Sequence, residues 1–558
     1  MPDRDAETEN AATTVAAGEP ASAASRRPTV PAARRYPGAA RAPGAWPRWA
    51  QRLVIAVPAV TAFAVGGYQI GRPSLWRDEA YTKDAIDRSF GRIFTLMGHQ
   101  DAVHGAYYLL MHAVAAAIGT SATALRFPSL CAMAMAAAFT AATGRRAAAL
   151  AAGAGERASV PALTGLASGL VFATAPYVTY YAQTARSYAI VTMFAAIASY
   201  LLLRAYPDGR WRWWAPYGAA VALTGLFNAF GLLILAAHGT TLLLTSPRGL
   251  AGTGRRAGRI PLRWLAAGAA AVIVLGPLLR AIYAERKQTA WLLKPDVQTV
   301  DALIGHFAGS RLLILPVAVL ALCGIAAACL ADRWRPLNPA AIALPWLVVP
   351  AVILLAASYL RPVYNQRYVE FCLPALAILV GAGLVGLVRL GWYLKTSRPP
   401  RAWLPGAAAA VAVIAVAVML VAPQRAIRQP SARPDNLRLA SAIVAANERP
   451  GDVVFYIPVN MRVLGTGYPA PFGGLRDIAR ALSPIASGTL TGTEVSNPAV
   501  LKSRFTDVNR VWVVTGNANG TFPVPSTSVD KEKLALLTGM HVVHRWRAGD
   551  VMLTLYGR

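Results

Sequence analysis

Between about residue 53 and residue 422 the chain returns repeatedly to long apolar runs of Ala, Leu and Val. Several reach the roughly 20 residues that a helix needs to cross a hydrocarbon core. Within that core each backbone N–H and C=O must be satisfied inside its own segment, so such runs fold as helices. Charge agrees, because only 15% of the 558 residues are Asp, Glu, Lys or Arg, against about 25% in soluble domains. The pattern predicts a polytopic α-helical membrane protein.

The formal net charge of +29 raises the question of nucleic acid. The basic residues answer it. They fall in the N-terminal segment and in short gaps between apolar runs, as in GRR near 145, RGLAGTGRRAGR near 250 and KTSRPPR near 396. That is the distribution of cytoplasmic loops under the positive-inside rule. Membrane lipids with anionic headgroups are compatible partners, and nucleic acid is not a partner. The four cysteines, Cys131, Cys323, Cys329 and Cys372, lie in apolar runs and form neither a disulfide framework nor a metal-ligand pattern.

Residues 1–50 are rich in Ala, Pro, Ser, Thr and Arg without apolar periodicity, which predicts a disordered cytoplasmic tail. The first span falls near 52–70, and a polar loop, 71–104, follows it outside. The segment 106–119 is short for a span. If Arg145 and Arg146 are cytoplasmic, one crossing near 122–143 suffices and 106–119 lies at the interface or re-enters; two short spans are the alternative. Further spans near 159–180, 187–204, 213–228, 229–245, 263–282, 311–331, 339–358, 368–390 and 404–423 bring the count to about 11. This puts the N-terminus inside and the C-terminus outside, with 51–423 as the transmembrane domain. Residues 424–558 have a soluble texture. RPDNLRLASAIVAANER reads as an amphipathic helix, and VVFYI, VWVVTG and VMLTLYGR as strands. A small extracytoplasmic α/β domain is expected there.

The polar residues left on the outer face form a set. The first loop offers Asp78, Glu79, Lys83 and Asp84 in SLWRDEAYTKDAIDRSF, then Asp101 and His104 in HQDAVHGAYY. YYAQTARSYA adds Tyr181, Gln183 and Arg186, and RPVYNQRYVE adds Arg361, Arg367 and Tyr368. Carboxylates at a membrane surface can act as general bases or hold a divalent cation. Arginines bind phosphate in a fork, and aromatic rings stack on sugars or lie in the headgroup belt. Together they point to a phospholipid substrate and transfer of its head group.

These stretches resemble the motifs of the GT-C membrane glycosyltransferases, in the branch of protein mannosyltransferases and the lipid A aminoarabinose transferase. WRDEAYT resembles the Asp-Glu signature of the first loop. DAVHGAYYLLMHAVAAAIGTSATALRFPS resembles the second block, YYAQTARSYA the third and NQRYVEFCLPALAIL the fourth. The likeness runs over roughly residues 50–390 and is greatest to an actinobacterial mannosyltransferase group that also carries a soluble tail. One departure is His104-Gly105-Ala106, where many members of the branch have His-Pro-Pro.

The resemblance implies a GT-C fold and transfer of a sugar from a polyprenyl-phosphate donor to an envelope glycan, lipid or protein, by inverting single displacement. It implies mannose first and arabinose second, with Asp78 as general base. Glu79 is expected to orient the acceptor or hold a cation, or to pair locally with Lys83. Asp101 and His104 stand three apart, together if helical, and serve acceptor orientation or a divalent cation; no metal ligand set is assigned. Arg186, Arg361 and Arg367 are expected at the carrier phosphate, or in an ion pair with a loop carboxylate. Tyr181, Gln183 and Tyr368 line the site or pack in the aromatic belt. Two non-catalytic readings stand beside the enzyme: a lipid-linked-sugar flippase and an envelope scaffold.

Overall fold

The computed structural model describes residues 46–558 except 154–155, 250–258, 290, 331–336, 398–403, 517–524 and 526. The expected tail up to residue 45, and most of the basic segments near 250 and 396, lie outside the described residues.

The apolar runs are helices. The first polar loop carries helices of its own. In order come α1 (Arg48–Gly67), α2 (Arg77–Ile86), α3 (Phe90–His99), α4 (Gly105–Ile118) and α5 (Ala122–Ala151). Next are α6 (Ser159–Thr174), α7 (Pro176–Ala182), α8 (Tyr188–Asp208), α9 (Trp211–Phe227) and α10 (Leu233–Gly249). Then follow α11 (Arg259–Val274), α12 (Gly276–Ala284), α13 (Val297–Ala308), α14 (Ile314–Leu330), α15 (Pro339–Leu360), α16 (Leu373–Ser397) and α17 (Leu404–Ala426).

Among the described residues, six single helices have the length and hydropathy to cross a membrane, and two bent pairs raise this to eight. The pairs are α6 with α7, bent by 62°, and α11 with α12, bent by 54°. Both bends have a local cause. Pro176 opens α7 and Gly276-Pro277 opens α12, and proline has no N–H for the preceding turn. The other expected spans correspond to α9, α10 and α17. The 14 residues of α4 rise only about 21 Å, short of a ~30 Å core. The interface reading of 106–119 has that length.

Burial orders the bundle. Two thirds of the α8 and α16 windows (67% each) are buried, against 11% for the segment containing α14 and 22% for α1. The first two are central, and the others lie on the outside of the bundle. Helix α14 meets α16 through glycine: a β-carbon at Gly383 would lie 1.9 Å from the Leu320 carbonyl oxygen, and one at Gly324 would lie 2.1 Å from that of Leu379. Small residues of this kind let membrane helices approach closely. Gly383→Ala is therefore expected to force the pair apart and cost about 1–3 kcal/mol, seen as a lower thermal midpoint of the detergent-purified protein.

After α17 comes the amphipathic helix α18 (Leu437–Asn447), with Leu437 and Val444 buried. The strands β1 (Val453–Ile457), β2 (Arg480–Leu482), β3 (Thr493–Glu494), β4 (Arg510–Gly516), β5 (His541–Ala548) and β6 (Val551–Gly557) follow. β1, β4, β6 and β5 form one sheet in that order, with β1 parallel to β4 and the other pairs antiparallel. Three of its strands match the expected segments. The fourth, HVVHRWRA, is an exposed edge strand rich in His and Arg, which hides its alternation. Residues Trp46–Arg558 form one compact unit, and the sheet region packs Met461, Val463 and Leu464 around Ala80 of α2.

Candidate active site

Asp78 and Glu79 occupy the first turn of α2, where the helix dipole favours negative charge. Adjacent helical residues point about 100° apart, so the two carboxylates have different surroundings. Glu79 is wholly buried. It takes Arg126 Nε and Nη2 of α5, each at 2.7 Å, and the Ala185 N–H at 2.9 Å. Arg126 also donates to the carbonyls of Ile70, Pro73 and Ser74 at 2.8–3.0 Å. This fork stitches the first loop to the bundle.

Asp78 points the other way. Arg367 Nη1 donates to Asp78 Oδ2 at 2.5 Å, and Arg186 Nε lies 3.9 Å from the same oxygen. Arg186 Nη1 donates to the Tyr108 hydroxyl at 3.3 Å, and that hydroxyl donates to Asp101 Oδ2. His104 Nε2 stands 4.0 Å from Asp101 Oδ1. Asp101 has φ +65°, in the left-handed region, which swings the chain from α3 into α4. Residues from four stretches of sequence thus form one polar line at one end of the bundle: Arg367, Asp78, Arg186, Tyr108, Asp101 and His104.

Electrostatics fix the resting protonation. Burial opposes ionisation of Asp78, but Arg367 and Arg186 outweigh it and hold the carboxyl below its ordinary 3.8. His104 is pushed down to about 4 by burial and by Arg186, so it is neutral at pH 7. The unfolded chain therefore takes up that proton first, and the stability gained from a neutral His104 is lost as pH falls from 6.5 towards 4. Arg186 Nε, Arg367 Nε and His104 Nδ1 are buried without hydrogen-bond partners among the described residues. Tyr188, Trp291 and Tyr368 surround the Arg367 guanidinium at 6.0, 5.9 and 5.7 Å from their ring centres, in cation–π range.

Of the sequence candidates, Asp78, Asp101, His104, Arg186 and Arg367 come together, with Tyr368 at the flank. Tyr368 stacks on Phe230 at 5.0 Å. Tyr181 is buried beside Tyr188, 5.6 Å between rings. Four others lie apart. Glu79 is behind α2. Lys83 pairs with Asp87 at 2.9 Å rather than with Glu79. Gln183 donates to the Gly66 and Tyr68 carbonyls at 2.8 and 3.0 Å, tying α7 to the end of α1. Arg361 is exposed and donates to the Arg286 carbonyl at 2.5 Å.

Sequence reasoning missed Tyr108, Arg126 and Trp291. Tyr108 had a signal, four residues after His104 on the same helical face. So had Arg126, a charge inside an apolar run that needs a partner. Among the described residues no group of three or more His, Cys, Asp or Glu is placed to hold a metal ion. The two central carboxylates are engaged by Arg367 and Tyr108 and do not converge on a cation.

No protein-family model and no curated protein matches the sequence. Solved structures do match. The crystal structure of ArnT from Cupriavidus metallidurans bound to undecaprenyl phosphate superposes with TM-score 0.50 at 15% identity, covering 90% of this chain and 97% of that one. The apo form of the same protein gives 0.49. An Archaeoglobus fulgidus oligosaccharyltransferase tethered to an acceptor peptide gives 0.47 at 9% identity, covering 84% of this chain and 69% of that one. The chain thus shares, over nine tenths of its length, the fold of ArnT, a GT-C glycosyltransferase.

Proposed function

We propose that this chain is an integral membrane glycosyltransferase that moves a sugar from a polyprenyl-phosphate donor to a cell-envelope acceptor at the outer face of the membrane. Mannose is the first candidate sugar and arabinose the second. In this reading the bundle crosses eleven times, the N-terminus is cytoplasmic, and residues 424–558 form an extracytoplasmic domain. The observation that carries it is the Asp78 carboxylate lodged between Arg367 and Arg186. A base and two phosphate-binding forks meet at one point, at the end of spans. The fold shared with a protein that binds undecaprenyl phosphate supports the lipid carrier.

The chemistry follows from that geometry. The acceptor hydroxyl attacks the anomeric carbon and gives its proton to Asp78. The bond from that carbon to the phosphate oxygen breaks, and its electron pair leaves with the polyprenyl phosphate. The leaving group is a stabilised anion and needs no acid, so one carboxylate suffices, unlike the two of glycoside hydrolases. Arg367 and Arg186 bind the donor phosphate. As they turn to it, Asp78 loses its cationic neighbours, burial dominates, and its pKa rises into a range where it accepts a proton. Asp101 and the neutral His104 orient the acceptor through hydrogen bonds, and Trp291 and Tyr368 flank the sugar. Glu79 acts by holding α2 in place.

The test is release of free polyprenyl phosphate from a panel of polyprenyl-phosphate sugars by purified protein with a crude envelope acceptor. Release with one sugar, with an anomeric configuration inverted in the product, is expected. No release from any of them, together with movement of the labelled lipid across a proteoliposome bilayer, would sink the transferase and favour the flippase.

A further inference from the structure

The helix that carries Asp78 is capped from the far end of the chain. The N-cap position of α2 is Trp76, which offers no side-chain cap, although Ser, Thr, Asp or Asn is the usual choice there. The missing carboxylate comes from Asp435. Its Oδ2 accepts from the Arg77 N–H at 3.1 Å and its Oδ1 from Arg77 Nη2 at 3.1 Å, with the side chain 4% exposed. Asp435 is itself pinned to the sheet: Asn436 N–H donates to the Ala548 carbonyl at 3.2 Å and Asp550 N–H to that of Pro434 at 2.8 Å, around the β5–β6 turn.

Further bonds from the same region hold the backbone on either side of Asp78. Ser74 N–H donates to the Pro430 carbonyl at 3.1 Å, and Arg438 N–H to Ser74 Oγ at 2.9 Å. Leu75 N–H donates to the Tyr468 hydroxyl at 3.2 Å, and Thr466 Oγ1 to the Ala80 carbonyl at 3.2 Å. Beyond the other end of α2, Arg88 Nη2 donates to the Thr489 carbonyl at 2.6 Å. Glu79–Arg126 grips the opposite face of the helix.

We propose that the region after residue 424 is a clamp on the catalytic helix, and that Asp435 is a positioning residue for Asp78. This rests on the glycosyltransferase reading. Asp435 acts through Arg77, the neighbour of Asp78, and through the first turn of α2. A displacement of about 1 Å at a reacting group costs about 100-fold in rate, so a side chain remote from the chemistry can set kcat.

The experiment uses the full-length protein and the variants Asp435→Ala and Asp435→Asn. The expected result for Ala is a fall in kcat of about 10- to 100-fold with donor KM within about twofold, because Arg367 and Arg186 stay in place. Asn keeps one acceptor oxygen for the Arg77 N–H and loses the ion pair, so it falls between Ala and wild type. Hydrogen exchange of the amides of α2 should quicken in Ala while those of β1 and β4 keep their protection. Tyr468→Phe, which removes only the hydroxyl that accepts from Leu75, should move kcat and exchange in the same direction and decides the matter if Asp435→Ala does not fold. Unchanged kcat with unchanged exchange in α2 would overturn the clamp. So would faster exchange spread through β1 and β4, which would make Asp435 a part of the sheet's own stability. If wild type releases no polyprenyl phosphate from any donor, the transferase reading fails, and exchange in α2 alone judges the clamp.

Discussion

Asp78→Asn is expected to lower glycosyl transfer by about 10²- to 10⁴-fold at pH 7, the contribution of a positioned general base, while donor binding is kept or tightened. The direction of the binding effect follows from the resting structure. Arg367 and Arg186 both lean on the Asp78 carboxylate, so a donor phosphate has to compete with it for them. Asn removes the competing charge and frees both guanidinium groups. A structural role for Asp78 predicts the opposite: weaker donor binding, with kcat per bound donor retained. Titration of polyprenyl phosphate against both proteins, beside single-turnover transfer, separates the two. The pH dependence adds a second sign. The folded-state pKa of Asp78 is lowered, so the stability from its ion pairs is complete above its ordinary 3.8 and is lost as pH falls below that through the folded value. Wild type should therefore lose its ion-pair advantage over Asn only in that acid range. As pH falls, the rate of the donor complex should fail before the ion-pair stability does, because the phosphate has taken the cations that keep Asp78 ionised.

Much of this arrangement was readable from residue order. Apolar length located the helical segments because a membrane permits little else. The adjacent Asp78 and Glu79, and Arg186 and Arg367 at the starts of spans, drew attention because charge at a membrane boundary is costly without a purpose. The sequence could not show which carboxylate of the pair meets Arg367 and Arg186. That depends on Arg126, 47 residues away, taking Glu79 into the bundle. Arg367 and Asp78 are 289 residues apart, and one-dimensional periodicity carries no such pairing. Lys83, by charge and outer-loop position, and Arg361, by charge and end-of-span position, looked like members of the same set as Arg186, yet their partners are Asp87 and a backbone carbonyl. The cap on α2 was hidden for the same reason: a lone Asp in a polar stretch reads as solvated surface until the sheet brings it to Arg77. The bends at Pro176 and Gly276 passed as continuous spans because hydropathy does not register a missing N–H.

Arg126→Ala is expected to be the most damaging single change to the fold. Both partners of the Glu79–Arg126 pair are fully buried, with no exposed side-chain surface. Deleting the guanidinium leaves the Glu79 carboxylate buried without its cation and removes the donors to three carbonyls of the first loop. Breaking one side of a buried pair costs about 3–5 kcal/mol, a large share of a typical ~5–15 kcal/mol. Low yield of folded protein and a sharply lower thermal midpoint are the expected readouts. Arg126→Lys keeps the charge but cannot reproduce the fork, so it should recover only part of the loss. The decisive partner is Glu79→Gln, measured for both stability and transfer. If Glu79 holds α2 in place, its thermal midpoint falls, and the transfer that remains in the folded fraction has a near-normal KM for the acceptor. If Glu79 reaches the acceptor instead, transfer collapses at an unchanged midpoint, and the division of labour between the two adjacent carboxylates has to be redrawn.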